Sequence, residues 1–406
     1  MKRKDGTCGE LSFASPAPVW DGRYEVYLDQ AATSYPKPEA VYLAVDPCLR
    51  KVGGNPGRSG HRRSLEAGRI VLRVRELLAR LLGARDPAEI VLTLNATDAL
   101  NLALKGSLRP GDHVVTTSME HNSVVRPLVG MVRRGEIELT VVQGDRTGLV
   151  PVDKIKEALR RNTAMVMVTH ASNVAGTINP IEEIAAVVRE RDILMLVDAA
   201  QTAGCLPIDV QSMGVDLLAF SGHKALLGPQ GIGGLYVNSR RVKLRPWREG
   251  GTGSRSEEDV QPDFLPDWLE AGTPNTPGLA GLAAGVEYVL TRGVAEIRSR
   301  EVALMQRLRE QLAGLPGVRL YGPADARQSV GILSFTVEGW DNGDLAYELE
   351  RNYRVLCRPG LHCAPYAHRT LGTFPAGTVP FSVSCFTEEE HVDYAAESLR
   401  HLVARS

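Results

Sequence analysis

Residues 216–237 read DLLAFSGHKALLGPQGIGGLYV, two apolar runs joined by a polar turn that carries Lys224. Continuous apolar runs, as opposed to alternating ones, are typical of strands that are covered on both faces. A lysine just after such a strand faces the crevice where open α/β sheets bind ligands. Lysine also forms covalent bonds with carbonyl cofactors, although a lone loop lysine is more often a solvated surface charge. The segment therefore predicts a buried sheet and makes Lys224 a candidate for chemistry.

The same pattern extends through the middle of the chain, where short apolar runs alternate with helical stretches. The predicted strands are 89–94, 113–117, 137–143, 163–169, 193–197, 217–220 and 231–237. The predicted helices of this region include 98–108, a stretch that ends near 134, 152–161 and 181–191. Such alternation is typical of a mostly parallel sheet between two layers of helices. We therefore predict an α/β fold with a mostly parallel seven-stranded sheet.

The pattern changes after about residue 289. The helical stretches 295–312, 344–353 and 388–404 then enclose short β-like runs at 330–337, 354–358 and 379–384. A single core rarely exceeds roughly 250–300 residues, and this chain has 406. We therefore predict a large α/β domain over 25–289 and a smaller, discontinuous α+β domain that is formed by 1–24 and 290–406. Residues 240–267 show little periodicity and are predicted to form a long loop.

The charge balance, the lengths of the apolar runs and the cysteine spacing exclude several classes of function. Lys and Arg number 47 against 48 Asp and Glu, and a net charge of −1 argues against a protein held on nucleic acid by a basic surface. The chain has no apolar run of about 18 residues, and residues 1–24 lack the apolar stretch of a secretory signal. The six cysteines include no CxxC pair, which disfavours a zinc site and fits a reducing compartment. We expect a cytoplasmic enzyme without a metal site, a membrane span or a nucleic-acid partner.

Three further segments place polar residues where apolar runs end or loops turn. Asp198, at the end of the 193–197 run, is interpreted either as a helix N-cap or as the partner of a cationic ring nitrogen. Residues 95–98 (NATD) are either an ordinary helix N-cap or a binding site for an anion. No GxGxxG motif lies between a predicted strand and a predicted helix, which argues against dinucleotide binding. Cys363, in RPGLHC (358–363), is either a nucleophile or a buried small hydrophobe. These alternatives stay open on the residues alone.

Taken together and in order, the segments resemble the class V, fold type I enzymes that depend on pyridoxal 5′-phosphate (PLP), and specifically the cysteine desulfurase family. The matching stretches are YLDQAATSYPKP (27–38), NPGRSGH (55–61), the segment through Thr97, MEHNSVVRP (119–127), THASNVAGTINP (169–180), VDAAQTAG (197–204), FSGHKALLGPQGIGGLYV (220–237), EAGTPNTPG (270–278) and RPGLHCAP (358–365).

The resemblance implies a fold type I architecture and a set of cofactor contacts. Lys224 would bind PLP covalently, Asp198 would pair with the pyridine nitrogen, Gln201 would approach the phenolic oxygen, and His121 would stack on the ring. The residues implied at the phosphate are Ala96, Thr97, Ser221, His223 and, from a second copy of the chain, Thr273. The substrate contacts implied are Asn173, which would also face the cofactor, Arg358 and His61.

The activity implied is the removal of sulfur from L-cysteine, which leaves L-alanine and a persulfide on Cys363. The resemblance also implies a homodimer and a sulfur-acceptor protein that serves iron–sulfur cluster or thio-cofactor synthesis. The alternatives are a selenocysteine lyase, another C–S lyase or a class V aminotransferase. A further alternative is a non-catalytic scaffold with the same fold.

The chain departs from the family pattern at three positions. Pro380 stands where the desulfurases carry an arginine that binds the substrate α-carboxylate. Either another cation such as Arg358 or Arg369 replaces that arginine, or the substrate lacks the carboxylate, or the usual activity is lost. The segment 224–229 has one residue more between its lysine and glycine than the family norm, and Ala96 replaces a commoner threonine.

Overall fold

The computed structural model of the protein describes residues 19–20, 23–57 and 60–404. The strands are β1 (Val19–Trp20), β2 (Arg23–Tyr24), β3 (Val26–Tyr27), β4 (Ile90–Thr93), β5 (Asp112–Thr117), β6 (Ile137–Val142), β7 (Thr163–Thr169), β8 (Leu194–Asp198), β9 (Leu217–Ser221), β10 (Gly233–Val237), β11 (Val318–Leu320), β12 (Ile332–Val337), β13 (Val355–Leu356) and β14 (Val379–Ser382).

The α-helices are α1 (Glu39–Pro47), α2 (Arg62–Leu82), α3 (Ala96–Ser107), α4 (Asn122–Arg133), α5 (Val152–Ala158), α6 (Ile181–Arg189), α7 (Thr276–Arg292), α8 (Val294–Ala313), α9 (Asn342–Tyr353), α10 (Pro365–Leu371) and α11 (Glu389–Val403). A π-helical turn at Cys48–Val52 and short 3-10 turns at Pro87–Glu89 and Ala326–Gln328 join some of them. No helix in these described ranges is both long and apolar enough to cross a membrane.

The central sheet has seven strands in the order β4-β10-β9-β8-β7-β5-β6. Only β10 runs antiparallel to its neighbours β4 and β9, and the remaining pairs are parallel. Every residue of β9 and β10 is buried, because large apolar clusters cover both faces of the sheet. Burial on both faces explains why these segments read as continuous apolar runs. The predicted α/β class and seven-stranded, mostly parallel sheet are confirmed.

The C-terminal region forms a second, antiparallel sheet in the order β11-β12-β14. Its core lies between this sheet and the helices α8, α9 and α11, and its two phenylalanines, Phe335 and Phe381, meet edge to face at 4.8 Å between ring centroids. The short strand β3 pairs with β13 and buries Val26 in the same core, although the sequence placed residues from 25 onward in the large domain. The domain boundaries themselves stay a prediction.

Two predicted elements are shorter by three residues in the structure. The predicted helix 152–161 ends at Ala158, because the backbone N–H of Arg160 turns to the hydroxyl of Thr163. The predicted strand 354–358 is reduced to β13, because Arg354 adopts a left-handed conformation, with φ of 55°, that ends α9. Residues 240–267, all of them described, contain no helix or strand, in agreement with the predicted loop.

Two glycines in β10 allow the close packing that positions one end of the sheet. A Cβ on Gly233 would lie 2.5 Å from the backbone carbonyl carbon of Asn95, at the start of α3. A Cβ on Gly234 would lie 2.3 Å from the ring of Phe220 in β9. Only glycine lets the beginning of α3 and the ring of the neighbouring strand approach β10 this closely.

We predict that Phe381→Ala lowers the free energy of unfolding by about 3–5 kcal/mol, because it removes a fully buried ring and leaves a cavity. Urea unfolding followed by circular dichroism measures the change. Tyr347→Ala is the matched control, because its ring is 57% exposed and its loss should cost less than about 0.5 kcal/mol. Equal losses in the two variants would contradict this description of the core.

Candidate active site

A buried lysine and a buried aspartate lie at the same edge of the central sheet. Asp198 is the last residue of β8, and Lys224 follows the end of the adjacent parallel strand β9 by three positions. In the ladder that joins these strands Asp198 pairs with Ala219, so the two carboxyl ends open onto one crevice. The backbone N–H of Ala200 donates to Asp198 Oδ1 at 2.9 Å and fixes the carboxylate.

Burial changes the protonation of both groups. Burial lowers the pKa of Lys224, an effect that Asp198 opposes and the positive charge of Arg358 reinforces. Burial raises the pKa of Asp198, while the hydrogen bond from Ala200 and the charge of Lys224 hold it down. The two groups thus act on each other, and the Lys224 amine gives up its proton more readily than an exposed lysine does.

Two helix N-termini meet beside this pair. Asn95 caps α3, and its side chain accepts from the backbone N–H of Asp98 at 2.9 Å. The hydroxyl oxygens of Thr97 and Ser123, in the first turns of α3 and α4, are 2.7 Å apart. Helix N-termini attract anions through their dipole and their backbone N–H groups. Hydroxyls and helix ends together therefore form a cradle suited to a phosphate.

His121 caps α4 in a neutral form. Its Nδ1 accepts from the backbone N–H of Ser123 at 3.0 Å, so its ring proton lies on Nε2. Burial, together with the charges of Lys224, Arg126 and Arg358, lowers the pKa of His121 to about 4. The imidazole is therefore uncharged at pH 7, with an apolar face and a single donor.

The Cys363 loop is tied to this cavity at two points. The backbone N–H of Asn122, which follows His121, donates to the Cys363 carbonyl at 2.7 Å. Asn173 Nδ2 donates to the His362 carbonyl, also at 2.7 Å. His362 and Cys363 both have positive φ, 46° and 56°, so the loop turns sharply and leaves the thiol exposed. The charge of Cys363 acts on the pKa of Lys224, which places the thiol within electrostatic reach of the amine.

The two cations that might replace the arginine missing at position 380 have different surroundings. Arg358 Nε lies 3.6 Å from the carboxylate of Asp29, and its charge influences Lys224. The guanidinium of Arg369 instead stacks over the rings of neighbouring aromatic residues, 4.5 Å from that of Phe374. Pro380 itself is buried in β14, opposite Ser334. Of these two cations, Arg358 is therefore the one that acts on the Lys224 crevice.

The structure brings together most of the site residues that the sequence singled out. The cavity beside Lys224 is lined by Ala96, Thr97, His121, Asn173, Asp198, Gln201 and Lys224. Ser221 is buried at the end of β9, next to the turn that holds His223, but neither residue lines this cavity. Thr273 lines a separate cavity, and His61 caps α2, where its Nδ1 accepts from Ser64. One chain alone does not bring Thr273 or His61 to Lys224.

Three residues of the site were missed by sequence reasoning. Ser123 joins Thr97 to His121, and its position in the first turn of a helix after a strand was the available signal. Asp29 pairs with Arg358 across more than 300 residues, so no local pattern indicates it. Glu120 is fully buried next to His121; burial raises its pKa to about 8, so it is mostly protonated at pH 7.

The donor set fits PLP, the cofactor that the resemblance implies. The cavity offers a buried amine for the aldehyde, a buried carboxylate for the ring nitrogen and a helix-end cradle for the phosphate. His223 Nδ1 is buried and has no hydrogen-bond partner within the described part of the chain, so it is available to a ligand. Buried polar atoms normally find partners. The chemistry of the residues therefore matches the group.

Comparison with known proteins identifies the family that the sequence motifs resemble. A family model described as Aminotransferase class-V matches residues 26–395. A "Probable cysteine desulfurase" from Methanothermobacter thermautotrophicus is 34% identical over 386 residues, which cover 94% of this chain and 95% of the relative. An apo structure of a cysteine desulfurase from Thermococcus onnurineus NA1 is 33% identical, with a TM-score of 0.89, and covers 94% of this chain and 95% of that chain. The cysteine desulfurase CsdA from Escherichia coli is 29% identical, with a TM-score of 0.85, and covers the same shares.

Fold and site therefore define an enzyme of fold type I, in which a sheet-edge lysine faces a helix-end phosphate cradle. The chain belongs to the class V aminotransferase family and, within it, to the cysteine desulfurase group. The resemblance recognised in the sequence motifs is confirmed.

We predict that the imidazole of His121 stays neutral, with its proton on Nε2, down to about pH 5, because its pKa is lowered to about 4. NMR of protein labelled with ¹⁵N in histidine measures this, and the signal is assigned by its absence in His121→Gln. Since the folded pKa lies below the unfolded value of 6.5, the group contributes stability above pH 6.5 that is lost as the pH falls toward 4. A signal that titrates near pH 6.5 would refute the neutral form.

Proposed function

We propose that the chain binds PLP at Lys224 and removes sulfur from L-cysteine, leaving L-alanine and a persulfide on Cys363. The observation that carries this proposal is that hydrogen bonds hold the loop of the exposed Cys363 beside the cavity that contains the buried Lys224. Backbone and amide hydrogen bonds from Asn122 and Asn173 hold the loop there. The desulfurase relatives support the same activity.

Besides Lys224, five side chains of the cavity would hold the cofactor. Asp198 would pair with the ring nitrogen, Gln201 would lie at the phenolic oxygen, and Thr97 and Ser123 would bind the phosphate at the start of α3. Bound PLP supplies an aldehyde that captures amines and a ring that stabilises negative charge on the carbon atoms next to it. His121, neutral and buried, would pack against the ring without adding a charge.

The protein's own residues then move a proton and a sulfur atom. The Lys224 amine, its pKa lowered by burial, takes the proton from the substrate α-carbon. The thiolate of Cys363 attacks the sulfur of L-cysteine, so that a new S–S bond forms while the C–S bond breaks. The electron pair of the broken bond stays with the substrate β-carbon, which takes up a proton and becomes the methyl group of L-alanine. Lys224 returns a proton to the α-carbon.

Arg358 would bind the α-carboxylate of the substrate. Its side chain is 54% exposed, and the distance of 3.6 Å to Asp29 leaves it free to form a closer pair with a ligand. A guanidinium can bind a carboxylate through two parallel hydrogen bonds, which a proline at 380 cannot provide. Pro380 favours one alternative, a related lyase or aminotransferase whose substrate differs from L-cysteine.

The assembly predicted from the sequence fits this site. Thr273 and His61 lie away from Lys224 within one chain, so a homodimer in which the partner copy supplies them is part of the proposal. The persulfide sulfur would pass to a thiol of an acceptor protein, for iron–sulfur cluster or thio-cofactor synthesis. The cytoplasmic location stays a prediction.

We predict that Cys363→Ala abolishes the formation of L-alanine from L-cysteine while PLP binding is unchanged, because only the sulfur acceptor is removed. Alanine is quantified by chromatography and PLP by its visible absorbance. Cys357→Ala is the matched control, because Cys357 is near in sequence, yet its thiol is buried and burial raises its pKa to about 12. Full turnover in Cys363→Ala would exclude the persulfide role.

We predict that Arg358→Gln raises the KM for L-cysteine about tenfold or more, because it removes a charge-assisted pair with the carboxylate. Steady-state kinetics measures the change, and Arg369→Gln, whose cation packs on Phe374, should leave KM within about twofold. Cysteamine lacks the carboxylate, so in the wild type its KM should be higher than that of L-cysteine. In Arg358→Gln the two KM values should be similar. An unchanged KM in Arg358→Gln would mean that another group, or none, binds the carboxylate.

A further inference from the structure

The segment Thr33–Lys37 is fastened to the backbone that immediately precedes Lys224. The His223 carbonyl accepts from Thr33 Oγ1 at 3.2 Å, from the Ser34 backbone N–H at 3.1 Å and from Lys37 Nζ at 2.8 Å. The ammonium is the nearest of these donors and the only charged one. The His223 carbonyl oxygen therefore accepts several hydrogen bonds from a segment that is 186 or more residues away in the sequence.

Ser34 extends this contact to the carbonyl of Lys224 itself. Lys37 Nζ lies 2.6 Å from Ser34 Oγ, and Ser34 Oγ lies 2.9 Å from the Lys224 carbonyl oxygen. An ammonium only donates, so Ser34 Oγ accepts from Lys37 and keeps its one proton for a carbonyl. The Lys224 carbonyl also accepts from the backbone N–H of Leu227 at 2.8 Å, which closes the following turn.

We propose that Lys37 is a positioning residue for Lys224, because its ammonium fixes the peptide before Lys224 directly and the peptide after Lys224 through Ser34. The inference rests on the proposed function, since it concerns the amine that would bind PLP. A charged donor holds a carbonyl more firmly than a neutral one. The orientation of these two peptides sets where the lysine side chain starts.

The surroundings of Lys37 support a specific role over a chance surface contact. The side chain is partly buried, and burial lowers its pKa to about 8, so most of the ammonium is still protonated at pH 7. Ser34, its partner, is only 3% exposed. Removing the Lys37 ammonium from water costs free energy, and its hydrogen bonds to a carbonyl and a hydroxyl must offset that cost.

The turn has other supports, so the loss of Lys37 need not unfold it. The backbone N–H of Gly222 donates to Ile232 at 2.9 Å, and that of Gly228 donates to Gly222 at 2.8 Å. These bonds hold the two ends of the turn but do not contact the His223 or Lys224 carbonyls. Without Lys37, the turn is expected to persist, while the His223 carbonyl keeps only neutral donors from Thr33 and Ser34 and is held less firmly.

The test compares Lys37→Met, which keeps the apolar stem, with Lys37→Arg, which restores a charged donor. PLP is titrated into apoenzyme, and its dissociation constant is measured from the visible absorbance. We expect Lys37→Met to weaken PLP binding about tenfold and Lys37→Arg to recover most of that loss. Lys51→Met is the matched control, because Lys51 is exposed, and it should bind as the wild type does.

Thermal unfolding of the apoproteins separates positioning from folding. If Lys37→Met does not fold, Ser34→Ala replaces it and should weaken PLP binding in the same direction, by less than Lys37→Met. The proposal is overturned if Lys37→Met, or Ser34→Ala in its place, binds PLP as tightly as the wild type, or if Lys37→Arg recovers nothing. Failure of the wild type to bind PLP refutes the proposed function instead, so the two failures are distinguishable.

Discussion

The mutual influence of Lys224 and Asp198 at one edge of the sheet is the constraint on which the rest of the site depends. Neither charge is stable alone in an apolar environment, and each shifts the pKa of the other. The parallel strands β8 and β9 end side by side, so the pair forms without a flexible loop to bring it together. A sheet covered on both faces supplies the burial that makes the amine reactive.

Two further groups are arranged around this pair without adding a competing charge. His121 is held neutral by its burial and by the hydrogen bond that Ser123 donates to its Nδ1. Glu120 is mostly protonated at pH 7, because burial raises its pKa to about 8. Asp29 and Arg358 form a charged pair near the crevice, 3.6 Å apart. In the proposed complex, the substrate carboxylate would pair with Arg358.

The sequence predicts the parts of this molecule that local patterns determine. The seven strands of the sheet can be predicted because burial on both faces leaves uninterrupted apolar runs. Lys224 and Asp198 can be predicted as site residues because each follows such a run. Contacts between distant segments cannot be predicted from local patterns. The bond from Lys37 to the His223 carbonyl spans 186 residues, and the bond from the Asn122 backbone N–H to the Cys363 carbonyl likewise joins distant segments. Residues expected from a partner copy, such as Thr273, cannot be placed from a single chain.

The covalent attachment of PLP to one named amine is the most direct test of the account. The protein is incubated with PLP, reduced with borohydride and digested, and the peptides are mapped by mass spectrometry. The account predicts a pyridoxyl group on Lys224 and none on the other lysines. A reduced protein with no pyridoxyl group, or with the group on a different lysine, would contradict it.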